Sequence, residues 1–346
     1  MFINWNKKEK PFSGFGGFGG GVAGLASKTS GGTGAQSGTY LNRGYWGGVS
    51  DRTTFEVEWS TDTSVLTGRG QGPSFDSGGG SGWSTQSYGW WFGGYSNSDS
   101  PNGSKTDVFR LDYSNDTTTM ADRANMNQAR GGGHMGGGNT QYGWVSGGMY
   151  GNSGGANSKV ERMTWASESG SASQRTNGPE SQARCHTTGT DANTYLWFIC
   201  WTKGGAGGVS GENRTYSYRL TFANDTIAMS NRFDSGGGSE PGCASTLDYG
   251  WIGPGTGYVN TSNIRRIEWA SDNTGLTVRS GFPYASKSWG ASLNNTYAWW
   301  WFRGGSDQSN LYRMEFTTDT TEASLRAQSS ETKRKQASIT QSLAAT

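Results

Sequence analysis

The 346-residue sequence predicts an all-β protein, a β-propeller of six blades preceded by a Gly-rich arm, and three observations favour this fold. The composition combines 58 Gly with 16 Trp, 15 Tyr, 14 Phe and only 7 Pro, so large aromatics can build a core between many turns. One motif recurs six times, and an aromatic segment precedes each copy. The copies repeat every 47 to 57 residues, a spacing typical of blades made of short strands.

The N-terminal 35 residues are expected to lie outside the ring, as an arm, and residues 36–346 to form the propeller. The arm is rich in Gly and Ser, with Phe at short intervals. This composition fits either a flexible linker or an anchor that becomes ordered against other subunits. A seventh, degenerate blade drawn from the same stretch is the alternative to a count of six.

The repeated motif is centred on an acidic residue, and its other members lie at fixed offsets from that residue. The acids are Asp62, Asp116, Glu168, Asp225, Asp272 and Asp319. Three residues before each acid stands an aromatic: Trp59, Tyr113, Trp165, Phe222, Trp269 or Phe316. Seven residues after it stands an arginine: Arg69, Arg123, Arg175, Arg232, Arg279 or Arg326. Six residues before it stands Arg110, Arg162, Arg219, Arg266 or Arg313, with Glu56 as the one exception.

Each blade is predicted to contain four strands in a fixed order. An inner strand precedes the aromatic strand, which contains elements such as YGWWFGG (88–94) and ends at glycines able to adopt positive φ. The arginine-containing strand follows, then a turn at the acid, then a polar outer strand. The C-terminal stretch SETKRKQASITQS (330–342) is similar to the inner-strand stretch PESQARCHTTGT (179–190). A C-terminal strand is therefore expected to complete the first blade by pairing with the chain from about Thr39 onward, which would close the ring.

The repeat also carries a resemblance to a known group of proteins. RLDYSNDT (110–117), RLTFANDT (219–226) and RRIEWASDNT (265–274) resemble the kelch-like repeat proteins of tailed phages of cyanobacteria and other marine bacteria. The Gly-Gly pair after an apolar strand is a general kelch feature, although Ile199-Cys200 and Gly253-Pro254-Gly255 depart from it. The resemblance covers about Thr39 to Thr346 and implies a kelch-like propeller in a virion structural protein, usually called a tail-fibre protein.

Charge and hydropathy narrow the classes of partner. The formal net charge is +2, which gives no electrostatic reason to expect nucleic acid. No apolar run approaches the length of a membrane span, and the N-terminus lacks the pattern of a signal peptide. Cys185, Cys200 and Cys243 are expected to be free thiols. We therefore expect synthesis in the host bacterial cytoplasm and a final place in the virion.

The residues do not favour catalysis or metal binding. His134 and His186 are the only histidines, and Cys185 and His186, adjacent on one strand, would point to opposite faces. The six acids are interpreted as turn caps that bind their own backbone, rather than as calcium ligands. The repeated arginines are expected to pair with an acid or with carbonyls of the same or the next blade. No enzyme activity, metal or cofactor is expected.

Contact with partners is instead expected from loops that vary in length at one face of the disc. The candidate contact residues on these loops are Tyr95, Asn97, Asp99, Tyr150, Asn152, Tyr284 and Asp307. Variable loops on a rigid scaffold are where binding residues concentrate. The aromatic run YAWWWFRGG (297–305), by contrast, is interpreted as a core strand buried on both faces, with a bulge near Trp301 that exposes one ring.

The function expected from these observations is that of a non-enzymatic virion protein associated with the tail or its fibres. The arm would contact other virion proteins, and the loop face would contact the host surface, a host-surface glycan or a neighbouring subunit. A capsid decoration protein that reinforces the shell is the first alternative. A propeller carbohydrate-active enzyme is the second, and it would require a funnel of acids, Tyr and Arg at one end of the channel.

Overall fold

The computed structural model describes strands and turns in most of the chain from residue 43 to residue 339. The described ranges are 43–47, 53–62, 67–72, 81–84, 87–94, 103–130, 134–139, 141–150, 155–167, 171–191, 194–202, 214–227, 229–234, 242–246, 248–254, 262–272, 275–283, 287–293, 296–303, 309–329 and 337–339. The predicted arm, residues 1–35, lies outside these ranges.

The described residues form antiparallel sheets of the predicted composition. Sheet 1 contains β1 (Arg43–Gly47), β2 (Thr53–Glu58), β3 (Thr67–Gln71) and β24 (Ala337–Ile339). Sheet 2 contains β4 (Ser81–Ser84), β5 (Tyr88–Phe92), β6 (Lys105–Asp112) and β7 (Ala121–Arg130). Sheet 5 contains β16 (Cys243–Ser245), β17 (Tyr249–Ile252), β18 (Asn263–Glu268) and β19 (Thr277–Gly281). Sheet 6 contains β20 (Lys287–Leu293), β21 (Tyr297–Arg303), β22 (Ser309–Glu315) and β23 (Ser324–Ser329).

Sheets 3 and 4 share one long strand. Sheet 3 contains β8 (His134–Gly138), β9 (Tyr142–Gly147), β10 (Met149–Tyr150) and β11 (Gly155–Thr164). β12 (Ser173–Asp191) joins it, and sheet 4 continues with β13 (Tyr195–Thr202), β14 (Arg214–Thr221) and β15 (Ser230–Asp234). The first part of β12 pairs with β11, and its last part, from Gln182 onward, pairs with β13. One strand therefore serves as the outer strand of sheet 3 and the inner strand of sheet 4.

The innermost strands contact one another in a closed cycle. β4 contacts β8, β8 contacts β12, β12 contacts β16, β16 contacts β20, β20 contacts β24, and β24 returns to β4. Six antiparallel sheets arranged in this way are consistent with a multi-blade β-propeller.

The first sheet takes its inner strand from the opposite end of the chain. β24 pairs antiparallel with β1 and places Ile339 opposite Tyr45 and Ala337 opposite Gly47. This is the pairing expected from the similarity of the C-terminal stretch to an inner strand. Without β24 the edge of β1 would be open, with unpaired backbone groups.

The core lies on both sides of the second strand of each sheet. In β21, Trp299, Trp300, Trp301 and Phe302 are all fully buried. Trp299 and Trp301 pack with sheet 1, whereas Trp300 and Phe302 pack with sheet 5. A strand with a sheet on each side has no solvent face, which explains why the aromatics are consecutive rather than alternating.

The expected exposure of one ring near Trp301 is wrong. The register irregularity lies on the neighbouring strand β20, between Ser288 and Gly290, while β21 keeps a continuous register with β22. The extra residue is thus accommodated by the inner strand, and no aromatic of β21 from Trp299 to Phe302 reaches solvent.

Two opposite faces follow from the strand directions. The turn face carries the turns between third and outer strands, for example Tyr113–Asn115 and Trp269–Ser271, and the starts of the second strands. The loop face carries the ends of the second strands and of the outer strands. Gly93, Gly94, Gly147 and Gly148 adopt positive φ there, as predicted for the exit of the aromatic strand.

Candidate functional site: the seams between sheets

The repeated residues assemble at the seams, the contacts between one sheet and the next. The third strand of each sheet ends in a short turn, which five times is a 3-10 turn that begins with the motif aromatic. That ring stacks on an aromatic of the preceding sheet, with ring centroids 3.8 to 5.3 Å apart. The six stacks are Trp59 on Trp299, Tyr113 on Tyr45, Trp165 on Trp90, Phe222 on Trp144, Trp269 on Trp197 and Phe316 on Trp251.

Four of the acids occupy the same position in their seams. Asp62, Asp225, Asp272 and Asp319 are 2–3% exposed, and each accepts hydrogen bonds from three side chains of the preceding sheet. A buried Trp donates its indole N–H at 2.8 to 3.0 Å. The Arg of the third strand donates at 2.9 to 3.1 Å, and the Nε of the outer-strand Arg donates at 2.9 to 3.0 Å. The donor triplets are Trp299, Arg313 and Arg326 for Asp62; Trp144, Arg162 and Arg175 for Asp225; Trp197, Arg219 and Arg232 for Asp272; and Trp251, Arg266 and Arg279 for Asp319.

The turn-cap interpretation of these acids is therefore wrong. The carboxylates point across the seam rather than back to their own backbone, because two guanidinium groups and an indole offer charge-assisted hydrogen bonds that a local cap could not match. The arginine interpretation is confirmed in these four seams, where the partner is an acid of the next blade. The hydrogen bonds also affect the ionisation of Asp319. Burial alone would raise its pKa, but the hydrogen bonds from Arg279 and Trp251 lower it.

In sheets 2 to 6, the arginine of the third strand also contacts an aromatic ring of its own sheet. Its guanidinium carbon lies 4.1 to 4.4 Å from the centre of a tyrosine ring at the start of the second strand. The pairs are Arg110 with Tyr88, Arg162 with Tyr142, Arg219 with Tyr195, Arg266 with Tyr249 and Arg313 with Tyr297. This cation–π contact holds the planar guanidinium in the orientation that reaches the acid.

The glycine of the Tyr-Gly-Trp element makes room for the seam aromatic. A Cβ at Gly143 would overlap the ring of Trp165, and a Cβ at Gly250 would overlap the ring of Trp269. The indole therefore lies between the backbone of its own second strand and the stacked ring of the preceding sheet. Backbone approach of this kind requires glycine.

The seam between sheets 1 and 2 departs from the others. Tyr45 replaces the tryptophan and donates its hydroxyl to Asp116 at 2.8 Å. Arg43 stands where the other sheets have tyrosine, and Glu56 stands where they have arginine. Arg43 and Arg69 both pair with Glu56, and they lie 3.7 and 3.6 Å from Asp116.

The two buried carboxylates of this seam, Glu56 and Asp116, share Arg43 and Arg69, and the pKa of Glu56 is shifted in this environment. Burial raises the pKa of Glu56, as does its hydrogen bond with Asp116, against the opposing effect of Arg69 and Arg43. The sequence shows Glu56 as the single exception at the arginine position, but only the structure shows that Arg43, at the tyrosine position, supplies the missing cation.

The seam between sheets 2 and 3 has a buried ion pair at its outer side. Arg130 at the end of β7 and Glu161 in β11 are both fully buried, with 3.1 Å between their charged atoms. Arg130 also donates to the carbonyls of Gly147 and Lys159, and Glu161 accepts the backbone N–H of Asn127. No repeat position predicts this pair. Glu168, the motif acid of this seam and the acid expected opposite Arg110 and Arg123, lies outside the described residues.

The candidate contact residues cannot be placed against this framework. Tyr95, Asn97, Asp99, Asn152, Tyr284 and Asp307 lie outside the described residues, and of Tyr150 only the backbone, in β10, is described. His134 lies on β8, and Cys185 and His186 lie on β12, which are both inner strands. Cys243 is a buried free thiol on β16, where burial raises its pKa.

Neither the protein-family models nor the curated proteins contain a match to the chain. Among the described residues, no His, Cys, Asp and Glu cluster of three or more is suited to a metal ion. No helix in the described part of the chain has the length and apolarity needed to cross a membrane.

Proposed function

We propose that the chain is a non-enzymatic structural protein of a phage particle, associated with the tail or its fibres. In this proposal the six sheets are the blades of a kelch-like propeller that presents its loop face to the host surface, a host glycan or a neighbouring subunit. The N-terminal arm, residues 1–35, is the attachment to other virion proteins.

One observation carries the non-enzymatic part of the proposal, namely how the buried acids are used. The carboxylates of Asp62, Asp225, Asp272 and Asp319 each accept hydrogen bonds from two arginines and one indole N–H of the preceding sheet. These carboxylate oxygens therefore hold neighbouring sheets together. A general acid or base needs a proton that moves near neutral pH. The lowered pKa of Asp319, by contrast, holds that acid ionised. The seams are suited to a rigid scaffold, as a host-contacting virion component requires.

The place of the protein in a particle is tested by removing the arm. A variant lacking residues 1–35 is expected to keep the thermal unfolding midpoint and the circular dichroism of the full chain, because the described sheets begin at Arg43. The same variant is expected to be absent from purified particles when it replaces the full chain during infection. Incorporation at the full-length level would contradict the role of the arm, and turnover of any surface glycan by the purified full chain would contradict the non-enzymatic assignment.

A further inference from the structure

The arginines of sheet 1 pair with an acid of their own sheet, whereas those of four other seams pair with the acid of the next sheet. In those four seams, the charged atoms of arginine and carboxylate lie 2.5 to 3.1 Å apart. In sheet 1, Glu56 of β2 lies 3.2 Å from Nε of Arg43 and accepts a hydrogen bond from Nε of Arg69. The same arginines lie 3.7 and 3.6 Å from Asp116 of sheet 2, beyond hydrogen-bond distance. The charge attraction that joins sheets elsewhere therefore acts mainly within sheet 1.

The aromatic contact of this seam is also the weakest of the six stacks. Tyr45 and Tyr113 have ring centroids 5.3 Å apart, which is the longest of the six distances. Each of the other five stacks contains at least one tryptophan, whose ring system is larger than that of tyrosine. The seam between sheets 1 and 2 therefore depends more than the others on its carboxyl groups.

A proton shared by the carboxyl groups of Glu56 and Asp116 links the two sheets. The two groups are joined by a hydrogen bond across the seam, which requires a proton on one of them. Burial and this hydrogen bond raise the pKa of Glu56, against the effect of Arg69 and Arg43. Without the proton, two buried negative charges would repel each other across the seam. The other charged or titratable side chains around this pair are Arg43 and Tyr45 of β1, Arg69 of β3, Glu58 of β2 and Tyr113 of sheet 2.

From this arrangement we propose that Glu56 is a proton-controlled switch of the ring, which tightens the seam between sheets 1 and 2 when it is neutral and loosens the seam when it is ionised. Neutral Glu56 donates its hydroxyl to Asp116 and leaves Asp116 as the carboxylate that attracts both arginines. Ionised Glu56 holds both arginines within sheet 1 and repels Asp116. The switch concerns the ring alone and does not depend on the place of the protein in a particle.

The direction of the switch follows from the shift of Glu56. Because its pKa is raised in the folded protein, the stabilisation of the seam is present below the unfolded value of 4.5 and is lost as the pH rises through the folded value. Asp319 of the seam between sheets 5 and 6 has a lowered pKa, so this seam keeps its ion pairs at pH 4.5. It therefore serves as the internal reference.

Hydrogen exchange of two equivalent backbone amides measures the opening of the two seams. The N–H of Met120 donates to Gln71 across the seam between sheets 1 and 2 at 2.9 Å, and the N–H of Ala323 donates to Gly281 across the reference seam at 3.0 Å. At neutral pH the amide of Met120 in the full chain is expected to be about tenfold less protected than that of Ala323, after correction for exchange in an unfolded chain. The difference is expected to shrink as the pH is lowered to 4.5.

Two variants assign the pH dependence to one residue. Glu56→Gln stays uncharged, so its Met120 amide is expected to keep at neutral pH the protection that the wild type reaches only in acid. The matched control, Glu58→Gln, removes the same charge from an exposed position of the same strand and is expected to retain the wild-type behaviour. Unchanged protection of Ala323 shows that both variants fold.

Three results would overturn the switch. The first is equal protection of Met120 and Ala323 in the wild type at neutral pH. The second is a pH dependence that persists in Glu56→Gln. The third is a pH dependence that disappears in Glu58→Gln, because the titrating group would then lie outside the pair formed by Glu56 and Asp116.

Discussion

At the scale of single residues, the size of the residue at the second position of the second strand correlates with the aromatic of the turn. Four sheets have Gly at this position, and their turns carry Trp or Tyr; the other two have Leu or Ala, and their turns carry Phe. The pairs are Gly44 with Trp59, Gly89 with Tyr113, Gly143 with Trp165, Leu196 with Phe222, Gly250 with Trp269 and Ala298 with Phe316. The overlap of a Cβ at Gly143 or Gly250 with the indole gives this correlation its steric cause.

We therefore expect Gly250→Leu to destabilise the protein and Trp269→Phe to restore part of the loss. A leucine at position 250 overlaps the indole of Trp269, and overpacking of this kind costs about 1–3 kcal/mol. Phe with Leu is the combination that sheet 4 already uses. Urea unfolding of the two single variants and the double variant measures the coupling. Additive effects would contradict a direct steric relation between the two sites.

The sequence predicts which residues take part in the seams, but not which of them pair with each other. Fixed offsets around Asp225 and Asp272 identified the strand, the turn and the participating residue types. They could not identify the partner, because Arg219 lies six residues before Asp225 in sequence yet binds Asp272 in the next sheet. Local capping is the commoner role for Asp in a turn, and only the position of the adjacent sheet changes that preference.

At the scale of strands, sheets 1 and 2 each depend on an unusual element. β24 is three residues long and supplies the inner strand of sheet 1. β7 is ten residues long and extends to sheet 3, where the backbone N–H of Ala172 donates to the carbonyl of Asn125. The similarity of the C-terminal stretch to an inner strand predicted β24. The same backbone bond recurs at equivalent positions, from Met120 to Gln71 and from Ala323 to Gly281, but no side chain takes part in it, so the sequence carries no signal for it.

Deleting residues 337–346 is expected to lower stability more than deleting residues 340–346. The longer deletion removes β24 and exposes the backbone edge of β1, at about 1 kcal/mol for each hydrogen bond lost. The shorter deletion keeps the pairing of Ile339 with Tyr45 and serves as the matched control. Thermal unfolding measures both. Equal midpoints would show that β24 contributes nothing to the closure of the ring.

At the scale of the whole molecule, the acids of the seams make the stability of the protein depend on pH in two opposite directions. The pKa of Asp319 is lowered, so the stability that this acid contributes is present above its unfolded value of 3.8 and is lost as the pH falls through the folded value. The pKa of Glu56 is raised, so its contribution is present below 4.5 and is lost as the pH rises through the folded value.

Two isosteric variants test these signs. Asp319→Asn is expected to cost about 2–3 kcal/mol near neutral pH, because it leaves the partly buried Arg266 and Arg279 without their charged partner, and the cost is expected to shrink as the pH falls below 3.8. Glu56→Gln mimics the protonated acid, so its stability relative to the wild type is expected to rise as the pH rises. Urea unfolding across the pH range measures both differences. A cost of Asp319→Asn that grows on acidification would contradict the assigned direction.

The pairing of Ile339 with Tyr45 has a consequence for how this chain could be rearranged. A circularly permuted chain that joined β24 directly to β1 and began just before β4 would build sheet 1 from four consecutive strands. The new ends would lie between sheets 1 and 2, and no strand would then bridge them. Closure would depend on side chains, chiefly the hydroxyl of Tyr45 on Asp116 and the stacking of Tyr45 on Tyr113, and on two isolated backbone hydrogen bonds, from Gly70 to Asp116 and from Met120 to Gln71. In the natural order of strands, by contrast, β1 and β24 are joined by backbone hydrogen bonds, so the first and last described strands are held in one sheet.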